Sequence, residues 1–335
     1  MERPGRNASA LPTARIAEVD TTMRIPVGIS SCLLGAEVRF DGGHKRDTYI
    51  LGTLAQYFEF VPVCPEVAIG LSVPREPIRL IGESREPRAI GTKTTSLDVT
   101  DRLRKYGLRI AKQLNSVCGY IFKKGSPSCG MERVKVYSER GVPTATGTGI
   151  FARAFMEANP LIPCEEEGRL GDPVLRENFI QRVFVLHRWR NLNATRLSAG
   201  KLVEFHTRHK LILLAHGQQA YRRLGQTVAN AGRESIRDLA DRYIAELMVA
   251  LSVRATRKSH ANVLLHLLGY LKKHLDEQDK AEMVECIDLF RRGLVPLIVP
   301  VTLLKHHFRR FPDPYVTSQY YLSPHPQELM LRNTL

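Results

Sequence analysis

Long hydrophobic stretches are missing from this chain of 335 residues. Nowhere do eighteen apolar residues follow one another, so no membrane span is expected. Met1–Thr22 is polar and mixed in charge and lacks the apolar centre of a secretion signal, so a disordered leader on a cytoplasmic protein is expected. Cysteine is scarce. Six in the whole chain are too few for a disulfide scaffold, and no close Cys-x-x-Cys pair occurs, which argues against a zinc finger. In a reducing compartment such cysteines are buried hydrophobes, metal ligands or catalytic thiols. Acidic residues run short in one part of the chain. The formal charge is +15, and Gln181–Leu335 holds 24 Lys and Arg against 13 Asp and Glu. Ten of the eleven histidines fall there too. The chain therefore divides into a nearly balanced half and a basic half suited to a polyanionic partner.

What is present is a repeated local pattern. Three short apolar runs each lead to a cysteine beside small or turn-forming residues. Ile25–Ser30 leads to Cys32, Phe58–Val63 to Cys64-Pro65-Glu66, and Val117–Phe122 to Gly125-Ser126-Pro127-Ser128-Cys129-Gly130. In the last of these, proline fixes φ, glycine opens backbone positions closed to other residues, and two serines add hydroxyls. In an α/β domain the carboxyl ends of parallel strands converge on one edge, so the three thiols can meet there. Three thiolates suit zinc or an iron–sulfur cluster.

The order of elements predicts an α/β fold: a mainly parallel sheet domain (24–170) followed by an all-helical domain (171–310) and a loosely ordered tail (311–335) with four prolines. Strands are expected at Ile25–Ser30, Phe58–Val63, Ile78–Ile81, Val117–Phe122 and Leu161–Cys164, and a hairpin element at Arg133–Tyr137. Helices are expected at Asp47–Tyr57 and Leu97–Leu114, and one grows out of Thr144–Ala158. Glu66–Arg88, broken by Pro74, Pro77 and Pro87, reads as irregular. Beyond the helical connector Asp172–Trp189, apolar stripes at helical spacing recur in Lys201–Ala215, Ile236–Leu251, Ala261–Leu275 and Met283–Leu294, the pattern of a bundle.

Ile29-Ser30-Ser31-Cys32-Leu33-Leu34-Gly35 with Val38-Arg39-Phe40-Asp41-Gly42, Val63-Cys64-Pro65-Glu66, and Gly125–Gly130 together resemble the thiouracil desulfidase family. The resemblance covers Arg24 to Glu167, with the motifs in family order. The basic half resembles a domain often fused to this one. The resemblance implies a [4Fe-4S] cluster held by Cys32, Cys64 and Cys129, with one iron open to a substrate sulfur. Glu66 and Ser126 fall on its catalytic positions, and Asp41 is a further candidate in the substrate loop. For the fused form it implies a thiolated tRNA as partner, with 4-thiouridine converted to uridine. A desulfidase of free 2-thiouracil and a nonenzymatic, cluster-containing RNA-binding protein are the competing readings, with a zinc-stabilised structural protein behind them.

Candidate phosphate contacts in the basic half are Arg182, Arg188, Arg190, Arg222, Arg223, Arg254, Arg257, Lys258, Lys272, Lys273, Arg291, Arg292, Arg309 and Arg310. His206, His209 and Lys210 either line that face or pack in the bundle. Lys258 and His260 stand before an apolar helix whose N-terminus suits a phosphate. Phe40 or Tyr120 could stack on a displaced base, or belong to the core. Cys118 and Cys286 read as buried hydrophobes, and Cys164 as the end of the last strand.

Overall fold

The computed structural model describes residues 24–334. The expected leader, 1–22, lies outside them. In chain order the strands are β1 (Ile25–Ser30), β2 (Phe58–Val63), β3 (Ile78–Ile81), β4 (Arg88–Gly91), β5 (Tyr120–Phe122), β6 (Val134–Tyr137), β7 (Pro143–Gly147) and β8 (Cys164–Glu166). The first helices are α1 (Thr48–Gly52), α2 (Pro65–Ala68), α3 (Thr100–Gln113) and α4 (Ile150–Ala158). A helical half follows: α5 (Pro173–Asn193), α6 (Ala199–His216), α7 (Gln218–Ala229), α8 (Ile236–Ser252), α9 (Arg257–Leu271), α10 (Glu277–Arg292), α11 (Ile298–Arg310) and α12 (Pro314–Ser318).

The strands make two sheets rather than one. The first has the order β2-β1-β5-β8 and is wholly parallel. The second, β4-β3-β6-β7, is mixed: β3 runs parallel to β6, while β3–β4 and β6–β7 are antiparallel. Two expectations change for this reason. Arg88–Gly91, which starts at the last residue of the stretch read as irregular and for which no strand was expected, is a strand because it pairs with β3. Pro143–Gly147 precedes the helix as a strand because it pairs with β6. The last strand of the parallel sheet begins at Cys164 rather than ending there, so Glu165 and Glu166 belong to the sheet.

Helix α5 joins the two halves. Its apolar residues cover every face, the mark of a helix buried all round. Phe179, Ile180, Val183 and Phe184 join Ile25, Val27, Ile29 and Phe58 in one core. Val185, Leu186 and Trp189 join Phe205, Tyr243 and Leu247 in the bundle core.

The tail departs from the loosely ordered segment expected of it. Tyr321, Leu322, Leu329 and Leu331 are buried, and the last two reach the core between α5 and the parallel sheet. The backbone N–H of Tyr320 donates to the Arg208 carbonyl at 3.0 Å, and that of Ile298 to the Arg332 carbonyl at 3.1 Å. The prolines shape this segment without freeing it, because its apolar side chains find a groove to fill.

Candidate active site

Each cysteine of the three motifs is delivered by a strand of the parallel sheet. In register Ser30 stands opposite Val63, and Ile29 opposite Ile121, so the carboxyl ends of β1, β2 and β5 share one edge. From β1 the chain enters a 3₁₀ turn, Ser31–Leu34, whose Cys32 carbonyl accepts from Lys45 N at 2.8 Å. From β2 it passes to Cys64, the residue that precedes α2, where Pro65 suits the first helical position. From β5 it enters the turn that carries Cys129. Gly125 there has φ of 68°, a conformation glycine adopts without strain.

Cys32, Cys64 and Cys129 line one cavity of about 360 Å³ with Ser30, Glu66 and Ser126. All three are free thiols. Burial raises Cys32 to about 11, against the opposing pull of Lys123, and raises Cys64. Cys129, the most deeply enclosed, is raised furthest by burial and then by neighbouring Cys64 and Glu66. Among the described residues no group of three or more His, Cys, Asp or Glu side chains is placed to hold a single metal ion. A zinc site gathers its sulfurs within about 2.3 Å of one centre. Three thiols on one cavity fit the all-thiolate donor set of a polynuclear cluster, in which each takes a different iron. Lys45 and Lys124, which also line the cavity and form no ion pair among the described residues, would offset the negative charge of a thiolate-bound cluster.

Beside the thiols runs a chain of hydrogen bonds. Arg75 Nε and Nη2 donate to Glu66 Oε2 at 3.0 and 2.7 Å. The other carboxylate oxygen, Oε1, accepts from Ser128 Oγ at 2.5 Å. Ser126 Oγ accepts from the backbone N–H groups of Ser128 and Cys129 at 3.3 and 3.1 Å. Those two bonds fill the lone pairs of the Ser126 hydroxyl. Its own proton therefore points to Ser128 Oγ, 2.9 Å away, and that of Ser128 to Glu66. Arg75 and Ser128 are the residues that the reading of the sequence did not single out. Ser128 sits inside a motif already in view, whereas Arg75 lies in a stretch without periodicity.

The remaining candidates scatter. Asp41 does not line the cavity; it is half exposed, accepts from Gly43 N at 3.1 Å and pairs with Arg39 at 3.3 Å. Phe40 is exposed at the cavity wall with Arg39 over its ring. Tyr120 is fully buried, stacked on Phe122 in the core, and cannot meet a base. The three glutamates after Cys164 brace the site instead of only ending the domain. Glu167 pairs with Lys123 and accepts from Lys124 N, and Glu166 accepts from Met131 N at 2.7 Å. Cys164 is enclosed, its thiol raised to about 12 by burial.

In the helical half, three expected phosphate contacts turn inward. Arg188 lies over the Tyr320 ring at 4.0 Å, Arg190 donates to the Val117 carbonyl, and burial lowers the pKa of Arg182. His206 and His209 are buried, bonded to Tyr243 Oη and the Phe205 carbonyl. Arg223 pairs with Glu246, and Arg291 and Arg292 both pair with Asp288. Arg222, Arg254, Arg257, Lys258, Lys272, Lys273, Arg309 and Arg310 are exposed and form no ion pair among the described residues.

Comparison with known proteins agrees with this division. The family model described as 2-thiouracil desulfurase matches residues 27–167, the residues that build the cavity. A second family model, for a protein of unknown function (DUF1722), matches 210–326. The uncharacterized protein YbgA of Escherichia coli (strain K12) is 35% identical over 154 residues, 46% of this chain and 91% of that protein. The uncharacterized protein YbbK of Bacillus subtilis (strain 168) is 33% identical over 146 residues, 42% of this chain and 95% of that protein. Among solved structures, that of the [4Fe-4S]-dependent thiouracil desulfidase TudS shares 31% identity and covers 44% of this chain and 95% of its own, with a TM-score of 0.36. The chain belongs to the thiouracil desulfidase family, with a DUF1722 region fused behind the desulfidase domain.

Proposed function

We propose that the protein is an iron–sulfur desulfidase of thiolated uracil bases whose substrate is 4-thiouridine in tRNA. One observation carries the activity. Three thiols from three strand ends share a cavity with a carboxylate and two serines joined in a proton chain. Cys32, Cys64 and Cys129 would hold a [4Fe-4S] cluster, which when bound supplies a soft Lewis acid for a thiocarbonyl sulfur. Glu66 is the proton acceptor. Its Oε2 is fixed by Arg75, so Oε1 alone is free to exchange a proton. Ser128 passes protons between Oε1 and Ser126 Oγ, which lies on the cavity wall. Overall, water replaces the sulfur: a C=S bond and water become C=O and hydrogen sulfide. No electrons are exchanged, so no donor is needed.

The choice of tRNA rests on the second half. Eight of the candidate phosphate contacts are exposed and form no ion pair among the described residues, which gives a field for a phosphate backbone. One observation favours the second reading, a desulfidase of free 2-thiouracil: every residue lining the cavity lies between Ser30 and Cys129, inside the desulfidase domain. Sulfide release by the anaerobically reconstituted protein, measured on tRNA containing 4-thiouridine and on free 2-thiouracil, decides between them. Faster turnover of the free base overturns the tRNA assignment. An intact cluster with no sulfide from either substrate overturns the enzyme itself.

A further inference from the structure

Under the folded tail lies a group of basic side chains with a single acid among them. Lys305, His325 and Arg332 are 7%, 5% and 5% exposed and line one small cavity with Ile298, Ser323 and Asn333. Its volume is about 20 Å³, room for one particle of the size of a water. A single carboxylate is present: Glu177 Oε1 accepts from Arg332 Nε at 2.8 Å. Lys305 makes no hydrogen bond or ion pair among the described residues. Arg332 Nη2 and His325 Nε2 are buried without a partner, and so is Nη1 of the neighbouring Arg188. Burial and the fields of Arg332, Arg188 and Lys305 all act on His325, pushing it down to about 3.

Burying positive charge beyond what Glu177 answers costs several kcal/mol per ion. A water in the cavity would satisfy a hydrogen bond but leave the excess charge. A phosphate of a nucleic acid would need exposed donors and a larger opening. We infer that the cavity under Tyr320–Asn333 binds one halide-sized inorganic anion, held by Lys305 Nζ and Arg332 Nη2. Such an ion neutralises the excess positive charge and lowers the field around His325. It also explains how this tail stays seated. Arg188 of α5 donates to the Pro324 carbonyl and Arg332 reaches Glu177 of α5, and Pro324, Arg332 and Lys305 of α11 all line the cavity.

The site is independent of the proposed chemistry, and so is its test. Thermal unfolding of the whole protein is followed at constant ionic strength, with chloride exchanged for gluconate, which is too large for the cavity. Chloride should raise the midpoint by about 2 °C or more, and bromide should do the same. Lys305→Met should lose this dependence. Crystals soaked in bromide should show an anomalous peak beside Lys305. Equal midpoints in chloride and gluconate, or a chloride effect kept in Lys305→Met with no bromide peak, would overturn the assignment. The bromide measurement on the unaltered protein stands even where Lys305→Met fails to fold.

Discussion

The two halves of the molecule treat charge in opposite ways. Around the sheet edge each buried ion is answered: Glu66 by Arg75 and Ser128, Glu167 by Lys123, Glu165 by Arg169. In the helices, cations outnumber acids, and many stand exposed without a partner. The first arrangement holds a few atoms at fixed distances, which chemistry needs. The second creates a field with no fixed partner, which suits a long polyanion whose contacts are many and individually weak.

The sharpest way to break this contrast is at the thiols. Cys129→Ala should abolish both turnover and cluster loading, read as iron content and visible absorption after anaerobic reconstitution. Full cluster absorption in that variant would remove Cys129 from the ligand set. Glu66→Ala comes next. It should keep the cluster and lower the rate of sulfide release by about 10²–10⁴; a normal rate would remove the carboxylate from the proton chain. Neither change should alter the affinity for tRNA.

Acid should act on the other half. Burial lowers His206 and His216 from 6.5 to about 4 in the fold. Below pH 6.5 the unfolded chain takes up protons that the folded one refuses. Stability is therefore complete above pH 6.5 and falls as the pH drops towards 4, by at most about 1.4 kcal/mol per pH unit for each histidine. Denaturant midpoints at pH 7.5 and pH 5 measure this, and equal values would show that these rings are not held neutral. The smallest effect is expected at the surface. Replacing Lys272 and Lys273 together by alanine should weaken tRNA binding modestly and reduce the slope of log K against log salt by about 2. An unchanged slope would take these lysines out of the interface.

Parts of this architecture were legible in the residues alone. β1, β2 and β3 fall on the expected bounds because each is a compact apolar run set off by turn residues or proline. The three cysteines were legible as strand-end residues for the same reason. The partition into two sheets was not, because β4 and β7 owe their conformation to partners rather than to their own short sequences. Helix α7 escaped notice for a related reason: only Leu224 and Val228 of it are buried. Arg75 and Arg188 show the same limit for single side chains. One arginine looks like another in sequence, yet one grips Glu66 and the other is sealed against Tyr320. Burial decides their roles, and burial is a property of the assembled chain.

The turn bearing Cys129 is also the cap of α4. Gly149 N donates to the Gly130 carbonyl, Ile150 N to that of Pro127 and Ala152 N to that of Ser128, at 2.8, 3.1 and 3.1 Å. A methyl group at Gly149 would fall 2.6 Å from the Ser128 backbone, so the fit tolerates no larger residue. The proposed seat for iron is thus moulded by a helix end. Air that destroys the metal centre should leave the mould standing, and such a protein can be refilled rather than remade.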